Sequence, residues 1–227
     1  MSKQAVIIYG PPGSGKGTQA ELLESGYSFV HFDTGKHIES IVHDPKLRRD
    51  KQIARERKLF DTGKLNTPSW VLGIVKGAAT KVGRAGYSII FSGSPRTLYE
   101  ALGERGRGGL LAALIKLYGR KHVTILQLSV RAATSIKRNS GRLVCSVCGL
   151  PILAASGIRN CALCGAKARK RTLDKPAVIK VRLKQYEDRT LPIIKEARKM
   201  GLRVVQIDGE PAPYKVYAKI VKALKLR

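Results

Sequence analysis

Two kinds of hydrophobic pattern alternate along this chain. Short, nearly unbroken apolar runs occur at Ala5-Val6-Ile7-Ile8-Tyr9, Tyr27 to Phe32, Ser88 to Phe91, Val123 to Leu128 and Arg203 to Ile207. Their length and β-branched content suit strands buried on both faces. Between them lie stretches with helical spacing: one from Gln19, then Lys46 to Phe60, Ser69 to Arg84, Leu110 to Tyr118 and Ala177 to Met200. A last helix carries Val216, Ile220 and Leu224 as an apolar stripe. Strands alternating with helices predict an α/β fold, a five-stranded parallel sheet with flanking helices. Punctuation residues refine the picture. Thr34 is placed to cap the helix after the second strand, Gly63 to close a helix, and Thr67-Pro68 to open the next. Pro192 is expected to kink the long helix, and Gly103 to Gly109, with four glycines, reads as a flexible connection.

The first strand runs directly into Gly10-Pro11-Pro12-Gly13-Ser14-Gly15-Lys16-Gly17-Thr18, and a helix follows. Glycines let the backbone wrap an oxyanion with its N–H groups, and the helix N-terminus adds partial positive charge. Lys16 is placed to reach terminal phosphates and Thr18 to approach a magnesium ion. The usual pattern sets Ser or Thr directly after the Lys; here Gly17 intervenes.

All four cysteines fall in one insertion, as Cys145-x-x-Cys148-Gly and Cys161-x-x-Cys164-Gly. Paired two-residue gaps, each followed by a glycine knuckle, point to one tetrahedral zinc held by four thiolates. Disulfides or a redox pair are the alternatives.

Charge changes the picture further. Lys and Arg number 43 against 16 Asp and Glu, a net charge of +27. That favours polyanionic partners, nucleotides first and RNA or ribosomes as a further class. Basic runs recur at Lys46 to Arg49, Lys167 to Arg171, and Lys215, Lys219, Lys222 and Lys225. No apolar stretch is long enough to span a bilayer, and Met1-Ser2-Lys3-Gln4 enters the first strand with no room for a signal peptide. A cytoplasmic protein is expected.

The phosphate loop, with Pro12 and Gly17, resembles that of nucleoside monophosphate kinases, adenylate kinase above all. Four further segments carry the resemblance along nearly the whole chain. They are Gly63-Lys64-Leu65-Asn66, the Gly93, Pro95, Arg96 and Thr97 of Ser92 to Thr97, the cysteine insertion with its flanking arginines, and Asp208-Gly209-Glu210-Pro211. The resemblance implies a P-loop NTPase-type core over residues 1–33, 67–137 and 175–227. A monophosphate-binding insertion spans 34–66 and a zinc-bound lid 138–174. It implies transfer of the ATP γ-phosphoryl to AMP by a monomer, with Mg2+ bound alongside ATP and a purely structural zinc.

Residue by residue, the resemblance assigns ATP to Gly13, Ser14, Gly15, Lys16, Gly17, Thr18, Arg138, Arg142 and Pro211. The monophosphate falls to Thr34, Lys64, Leu65, Asn66, Gly93, Arg96, Glu100, Arg171 and Arg182. Lys16, Arg96, Arg142, Arg171 and Arg182 would stabilise the charge of the moving phosphoryl. Four positions depart from the family pattern. Glu39 stands where an arginine grips the acceptor phosphate, with Arg48 or Arg49 as replacements from the next helix. Ser92 replaces an aspartate that holds the magnesium hydration shell, and Leu173 one of two lid aspartates. Glu100 replaces the glutamine that meets the acceptor base; it accepts from an exocyclic amine but cannot donate. These departures keep two alternatives open: a kinase for UMP or CMP, and a catalytically weak nucleotide-binding protein associated with RNA or ribosomes.

Overall fold

The computed structural model describes residues 3–152, 156–170, 174 and 176–226. From the N-terminus come β1 (Ala5–Tyr9), α1 (Lys16–Gly26), β2 (Phe29–Phe32), α2 (Thr34–Val42), α3 (Lys51–Asp61), α4 (Pro68–Arg84) and β3 (Ser88–Phe91). The middle holds α5 (Leu98–Leu102), β4 (Gly103–Glu104), β5 (Arg107–Gly108), α6 (Leu110–Tyr118), β6 (Val123–Ser129) and α7 (Ala132–Gly141). Then follow β7 (Leu143–Cys145), β8 (Pro151–Ile152), β9 (Ala168–Arg169), α8 (Pro176–Gln185), α9 (Leu191–Lys199), β10 (Arg203–Asp208) and α10 (Pro213–Leu224).

The main sheet has the order β10-β6-β1-β3-β2, and every pairing is parallel. β1 is central and all five of its residues are buried. Its side chains point alternately to two cores. Ala5, Ile7 and Tyr9 pack with Val75, Leu110, Leu114 and Ile193 on one face. Val6 and Ile8 pack with Leu23, Val216, Ile220 and Leu224 on the other. Each such buried Ile or Leu contributes about 2 kcal/mol through area removed from water. This two-sided burial is why β1 reads as a continuous apolar run, and it sends the carboxyl ends of the strands toward a single edge.

Several local expectations change. β2 begins at Phe29, because Tyr27 is the C-cap of α1 and its N–H bonds Leu23 O. Asp33, not Thr34, caps α2, its Oδ1 accepting from Lys36 N at 3.1 Å. The expected 46–60 helix is shorter, because Asp50 caps a new start at Lys51 after a 3-10 turn over Pro45–Leu47. Gly63 closes α3 with φ +75°, as its position suggests. Thr67 precedes Pro68 at the start of α4 but makes no cap bond; its hydroxyl donates to Glu56 instead. The glycine stretch is an antiparallel hairpin, β4 with β5, turned by Arg105 (φ 49°) and Gly106 (φ 77°). Positive φ at both turn residues matches the right-handed strand twist. A Cβ at Gly103 would collide with Arg107 O, so the hairpin requires glycine there.

The long helix is interrupted rather than simply kinked: Tyr186–Thr190 forms a π turn between α8 and α9. Pro192 sits in the first turn of α9, where its missing N–H costs nothing. The cysteine insertion folds as a small antiparallel sheet, β8-β7-β9. Among the described residues, no helix is long and apolar enough to cross a membrane.

Candidate active site

The site is built at the carboxyl edge of the sheet, where β1 ends in the glycine loop. Gly13 (φ 78°) and Gly15 (φ 94°) take left-handed backbone, and Gly15 is the N-cap of α1. No acidic side chain occupies the first turn of α1, so its N–H groups face the loop unopposed. A Cβ on Gly13 would come within 2.6 Å of Asn139 Nδ2 and 2.8 Å of Ser135 O. Helix α7 therefore braces the loop closely, and Ser135 Oγ also donates to Pro12 O at 2.5 Å. Neither residue was expected at the site; the available signal is a pair of small polar residues four apart on the inner face of a helix. Ser14 is buried and is not among the residues lining the phosphate-loop cavity.

Lys16 Nζ donates to Gly10 O (2.8 Å) and Pro11 O (2.9 Å). Burial, and then the charges of Arg182, Arg96 and Arg142, hold its ammonium well below the ordinary lysine range, opposed by Asp33. Gly13, Gly15, Gly17, Thr18, Lys16 and these three arginines line one cavity. With Lys36, five cations line this space, and they attract a multiply charged anion strongly. The buried carboxylate of Asp174 holds two of them. Arg142 grips it with Nε at 2.9 Å and Nη2 at 2.5 Å, while Arg182 Nη1 lies 3.8 Å away. Val144, Gly149 and Pro151 of the cysteine insertion cover this cavity. Arg171 lies outside the described residues.

Arg138 donates to Gly209 O and Glu210 O, both at 2.8 Å, and so fixes the loop that ends at Pro211. That loop is held a second time. Glu210 accepts from Arg131 N and from Thr134 Oγ1, which pull its carboxyl down to about 2.

A second cavity adjoins the first. Thr34, Gly63, Lys64, Leu65, Asn66, Gly93, Ser94 and Glu100 line it, and Arg96 and Arg182 line both cavities. The two guanidiniums thus mark the junction. Arg96 Nε donates to Gly93 O at 2.6 Å, and Thr190 Oγ1 of the π turn donates to Arg96 O at 2.9 Å. An added Cβ at Gly93 would come within 3.2 Å of Arg96 Nη2, so glycine makes room for the guanidinium. Asn66 donates to Glu56 at 2.9 Å, which ties the loop to α3. Glu39 and the exposed Arg48 and Arg49 are not among the lining residues; Lys64, Arg96 and Arg182 are the cations that are. Arg48 and Arg49 therefore replace nothing at the acceptor cavity, because the 3-10 turn carries them to the surface.

Ser92, the position of the missing aspartate, lies 2.7 Å from His31 Nε2. Asp33 and Glu21 instead bring carboxylates to the phosphate-loop cavity beside Thr18. Hard oxygen donors of this kind fit Mg2+.

The four cysteines are free thiols whose Sγ atoms all lie within 4.8 Å of one another. Individual pairs stand at 3.3 Å (Cys145–Cys164), 3.6 Å (Cys148–Cys161) and 3.9 Å (Cys148–Cys164). Tetrahedral thiolates about 2.3 Å from a zinc would stand about 3.8 Å apart. The spacing matches a four-thiolate ion site and is far too long for a disulfide.

Strand, glycine loop, helix and converging cations define a P-loop nucleotide-binding protein built for phosphoryl transfer. The model of the family described as adenylate kinase matches residues 8–202. A protein named adenylate kinase from Methanococcoides burtonii is 30% identical over 96% of this chain and 97% of its own length. Another so named, from Methanosarcina barkeri, is 30% identical over 97% of this chain and 98% of its own. The chain belongs to the adenylate kinase family.

Proposed function

We propose that this protein transfers the γ-phosphoryl of ATP to AMP, reversibly, giving two ADP. The observation that carries the reading is the junction: Arg96 and Arg182 line both the phosphate-loop cavity and a neighbouring polar cavity of the kind a nucleoside monophosphate needs. Phosphoryl transfer needs alignment and charge neutralisation more than covalent help. Lys16 and the loop N–H groups hold the donor phosphates, and the loop at Gly209 to Pro211, fixed by Arg138, receives the donor base. Arg96 holds the acceptor phosphate, with Thr34, Lys64, Leu65, Asn66, Gly93 and Glu100 around its nucleoside. Arg142, Arg182 and Arg171 stabilise charge on the moving group. Residues 34–66 act as the acceptor insertion and 138–174 as the lid, which excludes water over the loop. Magnesium, when bound, neutralises donor phosphate charge; Thr18 and Asp33 are the groups that hold its shell, with Asp33 in place of the aspartate lost at Ser92. Zinc is the ion for the four cysteines and is structural. The protein acts as a monomer, as the family resemblance implies.

The test is ADP formation from ATP, Mg2+ and AMP, with UMP, CMP and GMP in parallel. Lys16→Ala should lower turnover with AMP by at least about 10²-fold. Turnover confined to another monophosphate would move the substrate, and no turnover with any acceptor would overturn the kinase reading.

A second property follows from charge. Lys215, Lys219, Lys222 and Lys225 are all exposed on α10 or its end, opposite the buried Val216, Ile220 and Leu224. With a net charge of +27, which a nucleotide site alone does not require, this row suits an RNA backbone.

A further inference from the structure

The basic run at Lys46 to Arg49 has no part in the active site, and its surroundings give it another use. Lys46, Arg48, Arg49, Lys51 and Arg55 are all exposed, on the 3-10 turn, the residues after it and the first two turns of α3. Carboxylates of the same segment are engaged locally. Asp44 and Asp50 accept from the backbone N–H groups of Lys46 and Ile53, and the buried Glu56 accepts from Asn66 and Thr67. Beside these cations lies an open groove of about 520 Å³, within the size range of ligand sites. Lys51, Gln52 and Arg55 of α3 line one part of it, Thr67, Ser69 and Trp70 at the start of α4 another, and Glu56 also borders it. None of these residues lines a cavity of the active site. Trp70 is the chain's single tryptophan, half-buried, packed against the core and lining the groove.

An indole flanked by cations is the combination that holds an unpaired nucleotide. Every base has a π-face to stack on the ring, and the phosphates on either side pair with the cations. We propose that this groove binds single-stranded RNA, one base stacking on Trp70, its phosphates on Lys51 and Arg55, and the strand continuing over Arg48 and Arg49. Gln52 and Ser69, both exposed where they line the groove, supply hydrogen-bond partners for a 2′-hydroxyl, the group that separates RNA from DNA. An acidic peptide would satisfy the cations and leave the indole unused. The inference draws on the same excess of charge as the lysine row of α10, but the two surfaces are distinct. Ile53 and Trp70 belong to the core on one face of the main sheet, whereas Val216 and Ile220 of α10 belong to the core on the other. A short strand held at the groove therefore has no need of α10, and the kinase reading is not required either.

Because the chain has one tryptophan, its fluorescence reports on this groove alone. The experiment is titration of the full chain with an oligouridylate of about six nucleotides, long enough for one such site. Tryptophan fluorescence should be quenched saturably, and far more weakly by UMP or by the matching oligodeoxythymidylate. Changing Lys51 and Arg55 together to Gln should weaken binding and lower the slope of log affinity against log salt by about 1.4, since two phosphate contacts are lost. Trp70→Leu, followed with a labelled oligouridylate, should weaken binding at least about fivefold. ADP formation by the Lys51/Arg55 variant should be unchanged, which shows that it is folded. Replacing Lys215, Lys219 and Lys222 with Gln should leave the quenching midpoint where it was. Absence of quenching, or quenching that survives loss of both Lys51 and Arg55, would overturn the site. Equal quenching by UMP would make it a site for free nucleotides, and equal quenching by the DNA strand would overturn the assignment to RNA. Loss of binding in the α10 variant alone would place the RNA on that helix and overturn the groove.

Discussion

Single residues here act chiefly by arranging charge. Asp174 is the clearest case, a buried carboxylate between Arg142 and Arg182, with Lys16 and Arg96 on the same cavity. Asp174→Asn removes the carboxylate that joins Arg142 to Arg182 and leaves Asp33 and Glu21 as the carboxylates on the cavity. Thermal unfolding without nucleotide should show a loss of about 2–3 kcal/mol. Saturating ADP or ATP should recover part of it, since the phosphates replace the missing charge. A loss unaffected by nucleotide would count against the shared anion site. Glu210 makes a pH prediction. Its folded carboxyl titrates near 2, below the ordinary value of about 4.3. Its contribution to stability is present above about pH 4.3 and is lost as pH falls through about 2. Glu210→Gln should therefore lower the melting temperature at pH 7, and the gap to the unmutated protein should close on acidification.

At the scale of elements, the cysteine insertion proposed as the lid should depend on its proposed metal. β7, β8 and β9 are two or three residues each and bury little beyond Val144, Cys145, Ile152 and Cys161. A sheet that small needs the ion to hold it. Metal analysis should find one zinc per chain, and Cys145→Ser or chelation should release it. Proteolysis should then cut between residues 143 and 169 while the main sheet survives, and phosphoryl transfer should fall because the cover over the phosphate loop is gone. Full metal content in Cys145→Ser would refute the four-thiolate site. The elements of the main sheet were legible because burial on both faces forces continuous apolar strands, as in β1 and β6. The ends were less so. Asp33 took the cap expected of Thr34, and Asp50 set the start of α3 at Lys51, later than the expected Lys46, each through one side-chain hydrogen bond. The β4–β5 hairpin was hidden because glycines permit a tight turn as readily as a loose one.

For the whole molecule, the excess of 27 positive charges is spread well beyond the nucleotide site. Binding to single-stranded RNA should fall steeply as salt rises from about 50 to 200 mM, and replacing Lys215, Lys219 and Lys222 with Gln should flatten that slope. Turnover of small nucleotides by the same variant should change little. RNA binding that ignores salt would remove the electrostatic account. The chain's own order of residues determined the sheet, the phosphate loop, the cysteine site and most of the arginines, because each depends on spacing along a few consecutive positions. Only the tertiary structure decided that Arg96 and Arg182 line two cavities, that Asp174 binds Arg142 and Arg182, and that Asp33 lines the same cavity as Thr18 and Ser92. It also decided that Ser94 and Glu100, both buried, line the same cavity. Those facts depend on side chains far apart in sequence meeting at one edge of a sheet, and no local pattern encodes such a meeting.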